Sequence, residues 1–155
     1  MQVAVSLVVD VPPDGDINAL ETLVMAAGRR AMIQAIQASM REYEEQQKTC
    51  PHCGSEMVRP VGTDRRVLLM SFGRVVLSPR RLRCQHCKQR FRPADSFLAC
   101  LGDANITASL AQTGALAGTL FSYPATVKIL ENLCGVQLSA EQLRRLTLSN
   151  VVRDE

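Results

Sequence analysis

The chain has 155 residues, of which 46% are apolar, and its only aromatic residues are four Phe and two Tyr. This length fits one medium domain or two or three small modules with aliphatic cores. The net charge is only +3, no apolar run approaches the roughly 20 residues of a membrane span, and no positively charged leader opens the chain, so we expect a cytoplasmic protein with no membrane partner.

The N-terminal part predicts one strand and one long helix. Residues 2–11 place apolar side chains at every second position, which indicates a β-strand, and the Pro-Pro-Asp-Gly that follows would end it. Asp16 is placed to cap a helix from about Ile17 to Gln47, whose polar last turns we expect to project into solvent. Such a helix, about 45 Å long, suggests a partner, for example a second copy in a homodimer. Packing against this chain's own helices is the alternative.

Two Cys-x-x-Cys pairs are the strongest motif in the sequence. Cys50 and Cys53 form the first pair, and Cys84 and Cys87 the second, with thirty residues between the pairs. A two-residue gap lets one tight turn supply two thiolates, so two such turns can close a tetrahedral shell around Zn²⁺. Catalytic zinc keeps an open position, whereas four thiolates leave none. The spacing therefore predicts a structural zinc ion.

Other uses of these cysteines remain open at this point. A pair of disulfides would be typical of a secreted protein, and a thioredoxin-type redox pair would be expected near a βαβ pattern, which the sequence lacks. His52 and His86 lie inside the two pairs and could each replace a thiolate, although four cysteines already complete the shell.

The residues between the two pairs predict a β-hairpin, with strands over 67–72 and 75–82 and a turn at Gly73 and Arg74. With the cysteine pairs it would form a zinc ribbon, followed by a linker at 93–95. Cys100 and Cys134 are expected to be small core residues rather than metal ligands, because their neighbours in sequence are apolar.

Basic residues concentrate between Met57 and Arg92, where ten of them accompany a single acid, Asp64. Nine of the ten are arginine, whose planar guanidinium makes paired hydrogen bonds to phosphate. A solvated charged face is the alternative, but one sign of charge at this density favours a polyanionic partner. The residues predicted to contact DNA in this segment are Arg65, Arg66, Arg74, Arg80, Arg81, Arg83, Lys88, Arg90 and Arg92.

The C-terminal part predicts three helices. Thr107 would cap the first, Ser122 with Pro124 would open the second, and Gly135 would end it. Ser139 and Gln142 match a capping box at the start of the third, with Leu138 and Leu143 placed as a hydrophobic staple.

The last two of these helices fit a helix-turn-helix motif, in which the N-terminal residues of the second helix enter the major groove. A generic helical hairpin is the alternative. The candidate base contacts are Glu141, Gln142, Arg144 and Arg145.

The sequence also carries a family resemblance. After the long helix it reads Cys-Pro-His-Cys-Gly, then Arg-Arg-Leu-Arg-Cys-Gln-His-Cys, and finally Gly-Val-Gln-Leu-Ser-Ala-Glu-Gln-Leu-Arg-Arg-Leu. This order resembles the N-terminal region of bacterial insertion-sequence transposases of the Kra type, and the resemblance covers nearly the whole chain from about Ile17. It implies that Cys50, Cys53, Cys84 and Cys87 are metal ligands and that the helix after Ser139 reads DNA.

The resemblance also implies a limit on activity. Full-length members of that family carry a DDE nuclease domain, which would begin where this chain stops, at Glu155. No three carboxylates here can be assigned to a two-metal nuclease site, so we expect a chain that neither cuts nor joins DNA. It would be a fragment, a truncated reading frame or a reused DNA-binding half.

Together these patterns predict an α+β chain with a long N-terminal strand-and-helix region (1–48), a zinc ribbon (49–95) and a helix-turn-helix (96–155). The predicted function is zinc-dependent binding of double-stranded DNA, at insertion-sequence ends or as a regulator, in the bacterial nucleoid. A stand-alone interaction module that dimerises through the long helix and binds protein or RNA is the alternative.

Overall fold

The computed structural model describes residues 2–101 and 105–151, the last three of these without their side chains. The chain is of mixed α+β class, with a long N-terminal helix, small antiparallel sheets and several C-terminal helices. In chain order the elements are α1 (Ile17–Gln46), β1 (Val58–Thr63), β2 (Arg66–Met70), β3 (Gly73–Leu77), β4 (Arg80–Cys84), β5 (Arg90–Phe91), α2 (Ala94–Leu98), α3 (Ala108–Leu120), α4 (Tyr123–Cys134) and α5 (Ala140–Val151).

Contacts group the chain into two compact units. The first unit comprises Met1–Arg66 and Leu77–Ala99, and the second comprises Val67–Val76 and Cys100–Glu155. The predicted division into residues 1–48, 49–95 and 96–155 as separate domains stays a prediction.

The first unit contains a three-stranded antiparallel sheet in the order β1–β4–β5. Val58 lies opposite Cys84, Thr63 lies opposite Arg80, and a bulge between Pro60 and Gly62 interrupts the register. Strand β1 was not predicted from the sequence, because Pro and Gly within six residues argue against a strand. The bulge accommodates both residues, since a bulge leaves one residue outside the hydrogen-bond ladder.

Helix α1 begins as predicted, with Asp16 Oδ1 accepting a hydrogen bond from the Ala19 N–H at 2.8 Å. The expectation that its last turns project into solvent is wrong. The Tyr43 ring packs against Phe97 with 5.2 Å between centroids, its hydroxyl hydrogen-bonds Ser96 Oγ at 2.6 Å, and Glu44 is only 4% exposed. These two side chains fix the C-terminal end of α1 within the first unit.

The predicted hairpin is present, but its turn lies at Ser71 and Phe72 rather than at Gly73 and Arg74, which begin β3. Its second strand is also shorter than predicted. Strand β3 ends at Leu77 and β4 begins at Arg80, so Ser78 and Pro79 separate two strands where the sequence predicted one. Pro79 has no N–H to donate to a ladder, which explains the break. Its carbonyl instead accepts a hydrogen bond from the Asp64 N–H at 2.9 Å.

Within the second unit, β2 joins the β2–β3 hairpin to the segment that leads into α3. Leu69 forms a parallel bridge with Ile106: its N–H donates to Asn105 O at 2.9 Å, and its carbonyl accepts from the Thr107 N–H at 3.0 Å. The buried cluster beside this bridge contains Leu110, Leu130, Cys134, Val136, Leu138 and Leu143.

Helices α3 and α5 approach each other closely over two glycines. A Cβ atom on Gly114 would lie 3.1 Å from Leu143 Cδ1, and one on Gly118 would lie 3.0 Å from Thr147 Oγ1. Small residues four apart lie on one face of a helix, so these two glycines leave room for side chains of α5.

The connection between α4 and α5 follows the sequence closely. Gly135 adopts the left-handed conformation (φ 66°) that ends α4. The capping box is confirmed: the Ser139 N–H donates to Gln142 Oε1 at 2.9 Å, and the Gln142 N–H donates to Ser139 Oγ at 3.1 Å. Leu138 and Leu143 are both buried, as the staple requires. Thr107 and Ser122 occupy the predicted N-cap positions, although neither side chain makes a capping hydrogen bond.

Two further expectations are wrong. Residues 2–11 form no strand, because alternating apolar residues do not supply a neighbouring edge; Leu7 and Val8 are more than half exposed. Cys100 is exposed in the turn after α2, whereas Cys134 is buried in the core as expected.

Candidate metal centre and basic surfaces

The four predicted cysteine ligands meet at one point in the first unit. Cys50 Sγ lies 3.6 Å from Cys87 Sγ, Cys53 Sγ lies 3.6 Å from Cys84 Sγ, and all four sulfur atoms lie within 4.8 Å of one another. A tetrahedral zinc ion with Zn–S bonds near 2.3 Å separates its sulfur ligands by about 3.8 Å. The cluster therefore fits a four-thiolate metal site such as zinc.

Two tight turns of similar geometry present these thiols. In the first turn the Cys50 N–H donates to Ser55 O, and the Gly54 N–H donates to Cys50 O, both at 2.9 Å. In the second turn the Cys84 N–H donates to Gln89 O at 2.9 Å. Gly54 (φ 70°) and Lys88 (φ 64°) each follow the second cysteine of their pair in the left-handed region. Glycine adopts this conformation at no steric cost, whereas lysine does not.

The electrostatics of the cluster favour a bound cation. The backbone N–H groups of Cys87 and then His86 lower the pKa of Cys84 to about 6, against the effect of desolvation. The Gln89 N–H also lowers the pKa of Cys87, but desolvation and the neighbouring thiols outweigh it and raise that pKa to about 12. Ionising several thiols at this distance places like charges together, and a divalent ion removes that penalty.

All four cysteines of this cluster are free thiols in the structure, with no disulfide between them. His52 and His86 are both exposed and lie outside the group of four sulfur atoms, so neither replaces a thiolate. Within the described ranges this cluster is the one group of three or more His, Cys, Asp or Glu side chains close enough to hold a metal ion.

Three arginines form a row across the sheet beside the cysteines. Arg59 on β1 lies directly opposite Arg83 on β4, which lies opposite Arg90 on β5. Residues in register on adjacent strands share a face, with Cβ atoms about 5 Å apart, and like charges in this arrangement are destabilising. Arg59 is outside the predicted set of DNA contacts, because its place in the row depends on the pairing of β1 with β4, which the sequence did not predict.

Three other predicted arginines are paired with acids. Arg81 Nε lies 3.3 Å from Asp64 Oδ1, and Arg92 Nη1 lies 3.2 Å from Asp64 Oδ2. Arg92 Nε also lies 3.0 Å from Asp95, which is the larger of the two causes that raise the Arg92 pKa. Arg80 lies within 4.0 Å of both Glu44 and Glu45, at the C-terminal end of α1.

The shortest polar contact of Glu44 is with the backbone of Arg80 rather than with its guanidinium. Its Oε1 accepts a hydrogen bond from the Arg80 N–H at 2.7 Å, whereas the ion-pair distance from Arg80 Nε to Glu44 Oε2 is 3.9 Å. This bond joins the end of α1 to the start of β4.

The remaining predicted contacts of the basic segment are scattered. Arg65 lies between β1 and β2, Arg66 begins β2, and Lys88 lies in the second cysteine turn, where its ammonium donates to Gln85 O. In the second unit Arg74 lines a depression of about 540 Å³ together with Glu131.

The predicted contacts on α5 interact with one another. Glu141 binds Arg144 at 2.9 Å and Arg145 at 2.8 Å, and these hydrogen bonds, Arg144 first, lower the Glu141 pKa to about 2. Gln142 Oε1 is occupied by the capping box. The exposed start of α5 therefore carries two arginines held by one carboxylate.

No protein-family model matches the chain, and no match is found among curated proteins. Among the helices that the structure describes, none combines the length and the apolar character needed to cross a membrane.

Proposed function

We propose that the chain is a DNA-binding module whose first unit folds around a structural zinc ion as a zinc ribbon. The four thiolates would hold the ion, and its charge would allow all four cysteines to ionise. Because four protein ligands fill a tetrahedral shell, the ion would stabilise the two turns rather than activate water. Structural zinc contributes on the order of 10 kcal/mol to the folding of small modules.

The observation that carries the DNA proposal is the imbalance of charge around the three-stranded β1–β4–β5 sheet, called the cysteine sheet below because Cys84 ends β4. Ten basic residues between Met57 and Arg92 accompany one acid, and that acid, Asp64, is already shared by Arg81 and Arg92. Among the described residues, the other arginines on the sheet have no carboxylate within 4.0 Å, apart from Arg80, which lies beside Glu44 and Glu45 of α1. A polyanion supplies the missing negative charge, and nucleic acid is the polyanion that arginine contacts best.

We also propose that α4 and α5 act as a helix-turn-helix. The capping box and the staple fix the start of α5, which is where this motif contacts base edges. Arg144 and Arg145 would make these contacts after exchanging Glu141 for DNA. The resemblance to Kra-type transposases suggests the ends of an insertion sequence as the target.

The test is a salt titration of duplex binding. Fluorescence anisotropy with a 30-base-pair duplex should show log affinity falling linearly with log salt, by about 0.9 for each phosphate neutralised. A single-stranded RNA of equal length should bind more weakly, because the chain offers few aromatic residues on which bases could stack. Absence of duplex binding at 50 mM salt, or tighter binding of the RNA, would contradict the proposal.

One observation favours a second role, self-association through α1. Four apolar side chains among the first sixteen residues of α1, Ile17, Val24, Met25 and Met32, are between 42% and 74% exposed. A second copy of α1 would cover them, and contact between two-fold related helices is a common form of dimer. Sedimentation of the V24E/M32E double variant should then show monomers where the unmodified chain forms dimers. Deleting residues 1–48 is a poor test, since it also removes Glu44 from the Arg80 N–H.

A further inference from the structure

We propose that Arg59, Arg83 and Arg90 form the phosphate-binding row of this chain, whereas the side chains of Arg80, Arg81 and Arg92 are paired with its own carboxylates. This inference rests on the proposed DNA binding and assigns it to particular side chains. The basic residues of the cysteine sheet fall into two classes: those paired with a carboxylate of the chain and those without one.

The register of the sheet places the row. Arg59 is paired with Arg83 and Arg83 with Arg90, so the three side chains leave the same face of three adjacent strands. Strands are about 4.8 Å apart, which gives the row a length of about 10 Å. Phosphates follow one another every 3.4 Å of axis along each strand of a duplex, so a row of this length can face two or three of them.

The charges around the row distinguish it from the other arginines. Arg81 and Arg92 share Asp64, and Arg80 lies beside Glu44 and Glu45. None of the three row residues has a carboxylate within 4.0 Å in the part of the chain that the structure describes.

A row of like charges in direct register opposes folding. A phosphate backbone laid along the row would remove this repulsion, whereas the paired arginines would have to give up an existing carboxylate to bind it. The row is therefore the part of the sheet with most to gain from an anionic ligand.

The second cysteine turn orients the central member of the row. Arg83 Nε donates a hydrogen bond to Lys88 O at 3.3 Å, and Lys88 directly follows the ligand Cys87. This contact leaves the terminal nitrogens of Arg83 to bind phosphate and restricts the side chain before binding, which lowers the entropic cost of association. It also links the metal to the row, because the Lys88 carbonyl is positioned by the turn that the metal would close.

The experiment measures duplex affinity against salt for the full-length, zinc-loaded chain and for R59Q, R83Q and R90Q, singly and combined. We expect each single variant to reduce the salt slope by about 0.9 and the triple variant to reduce it by about 2.7. The triple Lys variant should keep most of the slope, because lysine also neutralises phosphate. Arg30→Gln, on an exposed position of α1, is the control for net charge and should leave the slope unchanged.

Thermal unfolding of the same proteins without DNA separates binding from folding. Because the row is self-repulsive, R59Q and R90Q should each melt at the same temperature as the unmodified chain or above it, whereas R83Q also loses the hydrogen bond to Lys88 O. Two results would overturn the inference while leaving DNA binding intact: an unchanged slope in the triple variant, or an equal loss of slope in Arg30→Gln. A chain that binds no duplex at all would overturn the proposed function, and the assignment of the row with it.

Discussion

Glu44 should be the polar side chain on α1 that contributes most to the stability of the first unit. Its carboxylate is buried and accepts a hydrogen bond from the Arg80 N–H at 2.7 Å, which joins α1 to β4. Hydrogen bonds to charged groups contribute about 1.5–3 kcal/mol, and a partner left unpaired in a buried position adds to the loss. The second carboxylate oxygen, Oε2, is buried with no hydrogen-bond partner, which offsets part of that contribution.

We therefore expect Glu44→Ala to lower the free energy of unfolding by about 2 kcal/mol. In a chain of this length each kcal/mol shifts the Tm by about 2–4 °C, so the Tm should fall by roughly 4–8 °C. Glu44→Gln keeps an oxygen for the Arg80 N–H and should lose less than half as much. Glu45→Ala removes an exposed partner of the same arginine, 3.5 Å from its Nη2, and should change little.

Circular dichroism melts of these three variants at constant zinc concentration provide the assay. An unchanged Tm in Glu44→Ala would refute the reasoning that this bond anchors α1. Equal losses in Glu44→Gln and Glu44→Ala would show that charge, rather than the acceptor oxygen, stabilises the end of the helix.

Three further predictions follow from other sites. Lys88→Gly should raise the free energy of unfolding by about 1 kcal/mol in a denaturant titration, because Lys88 adopts φ 64° in the second cysteine turn; a loss of stability would contradict this. Gly118→Leu should lower the free energy of unfolding by about 1–3 kcal/mol, because the leucine side chain would overpack against α5. Gly28→Ala, with open space around the added Cβ, should raise the free energy of unfolding slightly. Equal effects of the two substitutions would argue against close packing of α3. The Glu141 pKa is lowered to about 2, so the stabilisation that Glu141 gives α5 should be complete above about pH 4.5 and lost as the pH falls through 2. Glu141→Gln should remove this acid transition from melts between pH 5 and 2, and an identical transition in the variant would contradict it.

The cysteine site was predictable from sequence because its chemistry is local. Each Cys-x-x-Cys pair forms its own turn, so the spacing alone predicted that four thiols would meet, as they do within 4.8 Å. The capping box of Ser139 and Gln142 and the helix stop at Gly135 were predictable for the same reason: each depends on residues no more than four positions apart.

The arginine row could not be predicted, because it depends on strand register between distant residues. Arg59 and Arg83 are adjacent in space only because β1 pairs with β4, and Pro60 and Gly62 conceal β1 in the sequence. The same limit applies to residues 2–11, where an alternating pattern was mistaken for a strand although no neighbouring strand covers it. At the end of α1 the prediction failed in the opposite direction. Glu44 was expected to be exposed to solvent, but it is buried and accepts a hydrogen bond from the Arg80 N–H.

The dependence of duplex binding on zinc tests the central claim most directly. Duplex affinity at low salt should be measured on the chain with its bound zinc quantified, after complete removal of the metal by a chelator, and after zinc is restored. We predict one zinc ion per chain, loss of binding together with the circular dichroism of the sheet when the metal is removed, and recovery of both when it is returned. Unchanged affinity and unchanged circular dichroism after complete zinc removal would contradict the account.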